Sequence, residues 1–201
     1  MANETTEDVG AKLMMAWKEG DETAFDQLVE TFSGQVYALL TRFLGRHSGR
    51  EDMVQEVFLR VIRARDRYEP RARFTTWLYR IVFNLSVNET QRAGGKGQLS
   101  LDSPAGGRSD DDRPLDVADE RLLDPSEEME RDDVVGAVRE AISRLPETQR
   151  MALVLAKYDD MAYAEIGEVL GSSEKAIKSL IHRARETLRV ELAPLLKEEL
   201  A

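Results

Sequence analysis

The sequence contains no cysteine, which excludes disulfide bonds and any zinc or iron–sulfur site held by thiolates. No uninterrupted apolar run approaches the roughly 20 residues that a helix needs to cross a bilayer. The first ten residues, MANETTEDVG, are polar and acidic, unlike a signal peptide. We therefore expect a cytoplasmic protein with no membrane insertion.

Histidine is also scarce, since only His47 and His182 occur and they lie far apart in the sequence. No phosphate-binding loop or nucleophile motif accompanies them. The adjacent carboxylates from Asp110 to Asp112 lack the alternating spacing of a calcium-binding loop, so solvated charge is the better interpretation. We therefore expect no enzyme activity, no catalytic residue, no cofactor and no bound metal.

The net charge of -10 argues against a nucleic-acid partner, because phosphate binding requires lysine and arginine. The acidic excess is local, however. Residues 96–133 contain 13 acidic and 5 basic residues, whereas the rest of the chain contains 25 acidic and 23 basic ones. Two nearly neutral parts of the chain therefore flank an acidic segment.

Three amphipathic helices are predicted in the N-terminal half. Apolar residues recur every three or four positions from Phe25 to Phe43, from Met53 to Ile62 and from Phe74 to Leu85. The stretch from Gly45 to Gly49 separates the first two. A shorter apolar segment, Leu13 to Trp17, predicts a fourth helix that packs against the others.

A linker and a second helical domain are predicted next. Residues 94–130 are rich in Gly, Ser, Asp and Pro and lack apolar periodicity, which is typical of a flexible, solvated linker. Helical spacing resumes from Val134 to Leu145, and Pro146 stands where a new helix can begin. With 42% hydrophobic residues and no persistent strand-like alternation, we predict an all-α fold with two small domains, 1–93 and 131–201, joined by this acidic linker.

The segment AEIGEVLGSSEKAIKSLIHRARETLR has the layout of a helix-turn-helix, with a turn at Gly171 and a second helix from about Glu174. Gly167 removes a side chain where two helices approach closely, and Gly171 can take the left-handed conformation that ends a helix. Ser172 or Ser173 can cap the second helix.

The polar face of that second helix suits a DNA major groove. Its lysines and arginines can contact phosphates or base edges, and Glu174 can accept a hydrogen bond from a cytosine amino group. A merely solvated helix is the alternative, which the glycine spacing disfavours. The candidate DNA-contacting residues are Ser173, Glu174, Lys175, Lys178, Ser179, His182, Arg183 and Arg185.

The run RARFTTWLYRIVFNLSVNETQR combines aromatic and basic residues, as proteins that bind single-stranded DNA do. Phe74 and Trp77 lie at helical spacing and could instead belong to the core, which is the favoured interpretation for Trp77. In the preceding helix, REDMVQEVFLRVIRA, the polar residues Asp52, Gln55 and Glu56 lie opposite an apolar stripe. That face suits protein docking, with a solvated face as the alternative.

These three segments together resemble the sigma-70 family, specifically its compact extracytoplasmic function (ECF) group. In order, they are similar to the segment that binds core RNA polymerase, the loop and helix that melt and read the minus-10 element, and the helix-turn-helix that reads the minus-35 element. The resemblance implies an alternative sigma factor that directs promoter-specific transcription initiation. The alternative function is a helix-turn-helix regulator that never acts as a polymerase subunit.

The resemblance also implies partners and residue roles. The partners are core RNA polymerase, through its clamp helices and flap, promoter DNA in duplex and single-stranded form, and an anti-sigma factor. Phosphate mimicry by the linker inside polymerase is a further implication, with a disordered spacer as the simpler interpretation. The residues expected to bind polymerase are Asp52, Gln55, Glu56, Leu59 and Arg60. Those expected to contact the minus-10 element are Arg71, Arg73, Phe74, Arg80, Asn84, Asn88 and Arg92.

Three residues or segments depart from the family pattern. Many members have Ser at the start of the first helix of the motif where this chain has Ala162, so we expect Asp160 to cap instead. Leu180 stands where arginine is common, and SVNETQR is less basic than the usual end of the minus-10 helix. We therefore expect weak promoter affinity in the absence of polymerase.

Overall fold

The computed structural model describes residues 8–45, 49–95 and 125–194. These residues form eight α-helices and one 3-10 turn, Arg65–Arg67, and they contain no strand. The N-terminal lobe consists of α1 (Val9–Lys18), α2 (Thr23–Leu44), α3 (Arg50–Ala64) and α4 (Phe74–Gly95). The C-terminal lobe consists of α5 (Pro125–Arg144), α6 (Glu147–Tyr158), α7 (Tyr163–Leu170) and α8 (Glu174–Glu191). The predicted all-α architecture is confirmed.

Two helix ends fall inside the stretch predicted as linker. Helix α4 continues to Gly95, and α5 begins at Pro125, a residue type suited to the first turn of a helix because it has no amide hydrogen to satisfy there. The intervening residues 96–124 lie outside the described residues, as do Asp110 to Asp112 and His47.

The N-terminal lobe is built around α2, against which α1, α3 and α4 pack. One face of α2 buries apolar side chains at three- and four-residue intervals, from Leu28 through Val36 to Phe43. The Phe32 and Phe74 rings lie with centroids 4.8 Å apart and join α2 to the start of α4. Burial of each large apolar side chain contributes roughly 1.5–3 kcal/mol, so this stripe fixes where α4 lies.

The C-terminal lobe buries a smaller core in which α6, α7 and α8 contact one another. Met151 and Leu155 of α6 pack with Ile166 of α7 and Ile177 of α8, and all four are fully buried. The two lobes also contact each other directly, because α4 packs on α7 and α2 packs on α6. Within the described residues, no helix is both long and apolar enough to cross a membrane.

Candidate nucleic-acid and polymerase surfaces

The turn between α7 and α8 explains both glycines of the motif. Gly171 ends α7 in the left-handed conformation with φ 62°, as predicted. A Cβ at Gly167 would lie 2.5 Å from the carbonyl oxygen of Ser172, and the Ser172 amide donates to the Gly167 carbonyl at 2.8 Å. The close approach is therefore to the backbone of the turn, and not to the second helix as the sequence suggested. Ser173 caps α8, since its hydroxyl accepts from the Ala176 amide at 3.3 Å.

The start of α7 differs from the expectation. Ala162 is the N-cap residue, and the carboxylate of Glu165 reaches back to accept its amide hydrogen at 3.1 Å. Asp160 has a positive φ of 46° in the preceding turn, so the prediction that it caps α7 was wrong. The side chain of Glu165, in the first turn of α7, accepts from the backbone amide of the N-cap residue Ala162.

Helix α8 presents its polar face to solvent. Ile177, Ile181 and Ala184 hold the opposite face in the core, and Leu180 packs partly against it. This spacing places the polar residues outward because side chains three or four positions apart share one face. All eight candidate residues are exposed: Ser173, Glu174, Lys175, Lys178, Ser179, His182, Arg183 and Arg185.

Helix α4 carries a second exposed polar stripe, in which Arg80, Asn84 and Asn88 follow one another at four-residue intervals. Three further arginines beside the stripe are also exposed, and each has an acidic neighbour. The pairs are Arg71–Glu69 at 2.7 Å, Arg73–Glu165 at 3.4 Å and Arg92–Glu89 at 3.9 Å. The arginine of each pair is exposed to solvent, which screens the charges and keeps these ion pairs weak.

The aromatic residues of α4 do not form an exposed stacking surface. Phe74 is fully buried, so the expectation that its side chain contacts DNA needs correction: the first turn of α4 faces the core. Trp77 is half-buried and packs on Tyr68 with centroids 5.0 Å apart, in line with the core interpretation favoured above. Tyr79 is buried and its hydroxyl donates to Asp159 at 2.8 Å.

Helix α3 has an exposed face that combines polar and apolar residues. Asp52 and Gln55 are exposed, while Glu56 and Arg60 are half-buried and paired at 3.1 Å. The hydrogen bond from Arg60 lowers the pKa of Glu56 below its ordinary value, because it favours the ionised form. Leu59 on the same face is 44% exposed. Apolar exposure next to fixed charges is typical of a protein-docking surface.

Contacts between the lobes were not anticipated from the sequence. The buried guanidinium of Arg150 donates to the Phe43 carbonyl at 2.9 Å, and burial lowers the pKa of Arg150. Burial also raises the pKa of Asp159, while the hydrogen bond from Tyr79 opposes that shift. One signal was available for the burial of Arg150: it lies four residues before the buried Val154 and so shares the buried face of α6.

No group of His, Asp and Glu side chains in the described part of the chain is placed to hold a metal ion. The residues exposed on α3, α4 and α8 offer charged groups, hydrogen-bonding groups and apolar contact.

Comparison with known families identifies the two lobes. Residues 28–95 match the family model described as Sigma-70 region 2, and residues 136–188 match Sigma-70, region 4. The chain is 31% identical over 178 residues to the ECF RNA polymerase sigma factor SigW of Bacillus subtilis, covering 89% of this chain and 94% of that protein. It belongs to the sigma-70 family, in the ECF group.

Other sigma-factor relatives match this chain over a similar length. The RNA polymerase sigma-H factor of Pseudomonas aeruginosa is 31% identical over 193 residues, with 96% of this chain and 98% of that protein covered. The ECF sigma-E factor of Escherichia coli is 30% identical over 182 residues, with coverages of 90% and 92%. This chain is therefore an alternative sigma factor that directs transcription from promoters, and the interpretation as an ordinary helix-turn-helix regulator is set aside.

Two solved structures share the fold of this sigma factor. CnrH in complex with the cytosolic domain of CnrY aligns with a TM-score of 0.65 and 24% identity, covering 93% of this chain and 99% of that chain. The sigma factor RpoE of Bartonella quintana, in complex with the anti-sigma factor NepR, aligns with a TM-score of 0.60 and 21% identity, covering 84% and 96%. Region 2 thus comprises most of α2 together with α3 and α4, and region 4 comprises the second half of α5, all of α6 and α7 and most of α8.

Proposed function

We propose that this sigma factor binds core RNA polymerase through α3, reads the minus-35 element with α8 and captures unpaired minus-10 bases with α4. The observation that carries the proposal is the presence, in one chain, of three separate exposed faces on these helices. No covalent chemistry is needed, and we propose that the chain is not an enzyme. Its site of action is the cytoplasm, where polymerase and promoter DNA meet.

The minus-35 role of α8 is supported by the chemistry of its exposed face. Lys175, Lys178 and Arg183 offer cationic groups to phosphates, and Glu174 at the N-terminal end can accept from a base edge. A helix-turn-helix places the N-terminal residues of its second helix against the base edges of the major groove. Ser173 and Glu174 are the first residues at that end of α8.

The minus-10 role of α4 is supported by the stripe of Arg80, Asn84 and Asn88. Asparagine amides can donate and accept together, which suits the Watson–Crick edge of an unpaired base. Because Phe74 and Tyr79 are buried, base capture by α4 rests on polar contacts and on stacking by arginine. Hydrogen bonds to charged groups contribute about 1.5–3 kcal/mol each, which can offset an unstacking cost of a few kcal/mol.

The polymerase role of α3 is supported by Asp52, Gln55 and Leu59 on its exposed face. We assign Glu56 and Arg60 to the same contact with the clamp helices, and region 4 to the polymerase flap. We further propose that an anti-sigma factor binds this chain, by analogy with RpoE of Bartonella quintana and NepR.

The test is transcription in vitro with purified core RNA polymerase, followed by mapping of start sites on genomic fragments. We expect start sites that share two spaced sequence elements and that require this chain. If the chain binds duplex DNA but confers no start-site selection on core polymerase, the proposal fails. A variant that combines Leu59→Ala with Asp52→Ala should lose core binding, whereas Val9→Ala, at an exposed apolar residue of α1, should not.

A further inference from the structure

The loop that precedes α4 leaves the core and returns to it at one place. We call residues 69–73 the minus-10 loop, because its exposed arginines, Arg71 and Arg73, are candidates for contact with that element. The residues that flank the loop, Tyr68 and Phe74, are both buried, and their rings lie edge to face with centroids 6.2 Å apart. The loop therefore projects from a closed base.

The minus-10 loop has little freedom of its own. The Arg71 amide donates to the Glu69 carbonyl at 2.8 Å, which closes a tight turn. Pro70 lies between them, and its ring fixes one backbone angle. The position of the loop on the protein is therefore set largely by what holds its two ends.

The last turn of α1 holds the first end of the loop. The Lys18 ammonium group donates to the Tyr68 carbonyl at 2.9 Å. In the opposite direction, the Arg65 guanidinium donates to the Trp17 carbonyl at 3.0 Å and lies 4.6 Å from the centroid of the Trp17 ring. Carbonyl groups at a helix end have no intrahelical partner, so a cation there is favourable. The chain just before the loop is thus bound to α1 through two cationic side chains.

The first turn of α1 holds the second end of the loop. The Asp8 carboxylate, which caps α1, also accepts the amide hydrogen of Phe74 at 2.7 Å. A Cβ at Gly10 would lie 2.3 Å from Cδ1 and 2.8 Å from Cβ of Phe74, so the backbone of α1 lies directly on this side chain. Any shift of α1 must therefore move the residue at which the loop ends and α4 begins.

Helix α1 has no role in the promoter contacts described so far. The match to Sigma-70 region 2 begins at residue 28, whereas α1 ends at Lys18. Groups that bind a base must be held within about 0.5 Å of the productive geometry, and the residues that support them decide whether they are. Helix α1 supports both ends of the minus-10 loop in this way.

We propose that α1 is a positioning element for base selection, in which Lys18 holds one end of the minus-10 loop while Asp8 and Gly10 hold the other. These three residues are positioning residues, because they act through the loop and not by contact with DNA. The proposal deepens the proposed function and rests on it, since it assumes that the loop and α4 contact minus-10 bases.

The first test measures base preference at the minus-10 element. Promoters that differ at one minus-10 base pair are transcribed together by core polymerase with each variant, and the transcripts are counted. Lys18→Met keeps the apolar stem and removes the donor to Tyr68. We expect the preference for the best base over the next to fall at least about fivefold. Lys18→Arg retains a donor and should keep most of the preference.

The control separates positioning from loss of stability. Val36→Ala removes apolar volume from a fully buried residue of α2 and should lower the midpoint of thermal unfolding while leaving the order and ratio of preferred bases unchanged. Native preference in Lys18→Met overturns the proposal. Equal loss of preference in Val36→Ala, or in Lys18→Arg, also overturns it, because the donor from Lys18 would then not be the cause.

The second test needs no polymerase. Asp8→Ala removes the acceptor for the Phe74 amide, whereas the fully buried Leu78 lies one turn further along α4 and serves as an internal reference. Amide hydrogen exchange in the free protein should become at least about tenfold faster at Phe74 relative to Leu78. Global destabilisation would speed both amides together, so an unchanged ratio overturns the role of Asp8.

The two tests distinguish this proposal from the proposed function. If the native chain selects no promoter with core polymerase, the proposed function fails, while the exchange ratio still shows whether α1 holds the loop. If the native chain selects promoters and both Lys18→Met and Asp8→Ala keep its base preference, the proposed function stands and the positioning role of α1 is overturned.

Discussion

The carboxylate of Asp8 accepts the amide hydrogen of Phe74 at 2.7 Å, although 66 residues separate them. Its other oxygen accepts from the Ala11 amide at 3.0 Å and caps α1. One side chain therefore satisfies amide groups in the first turns of two helices, α1 and α4. The beginning of the proposed minus-10 helix is thus fixed by a residue at the start of α1.

Asp8→Ala is expected to lower the free energy of unfolding by about 1–3 kcal/mol, because two buried or half-buried amides lose their acceptor. Asp8→Asn should lose less, since its amide keeps one acceptor oxygen. Urea denaturation measures both, with Glu30→Ala on the exposed side of α2 as the control. If Asp8→Ala and Glu30→Ala unfold at the same urea concentration, the double cap has no energetic role.

The sequence predicted what depends on local spacing and missed what depends on distant partners. The periods from Phe25 to Phe43 and from Met53 to Ile62 predicted α2 and α3, and the glycines at 167 and 171 predicted the turn. The hydrogen bond between Asp8 and Phe74 could not be predicted, because a carboxylate carries no sign of a partner 66 residues away. The same holds for Arg150, which bonds a carbonyl 107 residues away.

Helix α4 shows the same contrast between what helical spacing predicts and what depends on tertiary packing. Four-residue spacing is enough to put Arg80, Asn84 and Asn88 on one helical face, which the structure shows to be exposed. It could not decide whether Phe74 faced DNA or the core, since both choices satisfy the helical period. That choice depends on how α4 packs against Phe32 of α2, which is a tertiary property.

Gly167→Ala is expected to destabilise region 4 by about 2–4 kcal/mol. The added Cβ would lie 2.5 Å from the Ser172 carbonyl oxygen, and a backbone atom in a tight turn cannot move away without loss of the Gly167–Ser172 hydrogen bond. Gly136→Ala in α5 is the matched control, because a Cβ there meets nothing within 4 Å and should stabilise the helix by about 0.5–1 kcal/mol. Thermal unfolding followed by circular dichroism would show opposite shifts, and equal shifts would contradict this account of the turn.

Lys178→Ala is expected to weaken binding of duplex DNA containing the minus-35 element and to flatten its salt dependence. Each lost phosphate contact lowers the slope of log affinity against log salt by about 0.9. Lys157→Ala, at an exposed residue of α6, should leave that slope unchanged. The test is the affinity of the sigma factor–polymerase complex for this DNA, measured at several salt concentrations. An unaltered slope for Lys178→Ala would show that Lys178 does not contact a phosphate.

Asn84→Ala is expected to impair promoter opening more than duplex binding, because its amide is proposed to contact a base only after that base has unpaired. Permanganate reactivity of minus-10 thymines should fall on a duplex promoter, and a template mispaired at the minus-10 element should recover most of the transcription. Gln27→Ala removes an exposed amide from α2 and serves as the control. Equal losses on duplex and mispaired templates would count against the role.

Asp159→Asn tests how charge affects the packing of the two lobes. Burial raises the pKa of Asp159, against the opposing effects of the Tyr79 hydrogen bond and the nearby Arg42. The ionised carboxylate is therefore disfavoured in the packed state. The contribution of Asp159 to packing is therefore fully present below its ordinary pKa, near 3.8, and is lost as pH rises through the raised value. The asparagine keeps an acceptor for the Tyr79 hydroxyl but cannot ionise.

We therefore expect Asp159→Asn to hold the lobes together at least as well as the native chain at pH 7. The variant should also lose much of the pH dependence of packing that we expect of the native chain above the ordinary carboxyl pKa. Energy transfer between dyes on region 2 and region 4 measures both quantities, with Asp26→Asn on the exposed side of α2 as the control. Weaker packing of the variant at pH 7 would show that the ionised carboxylate strengthens the Tyr79 hydrogen bond by more than its burial costs.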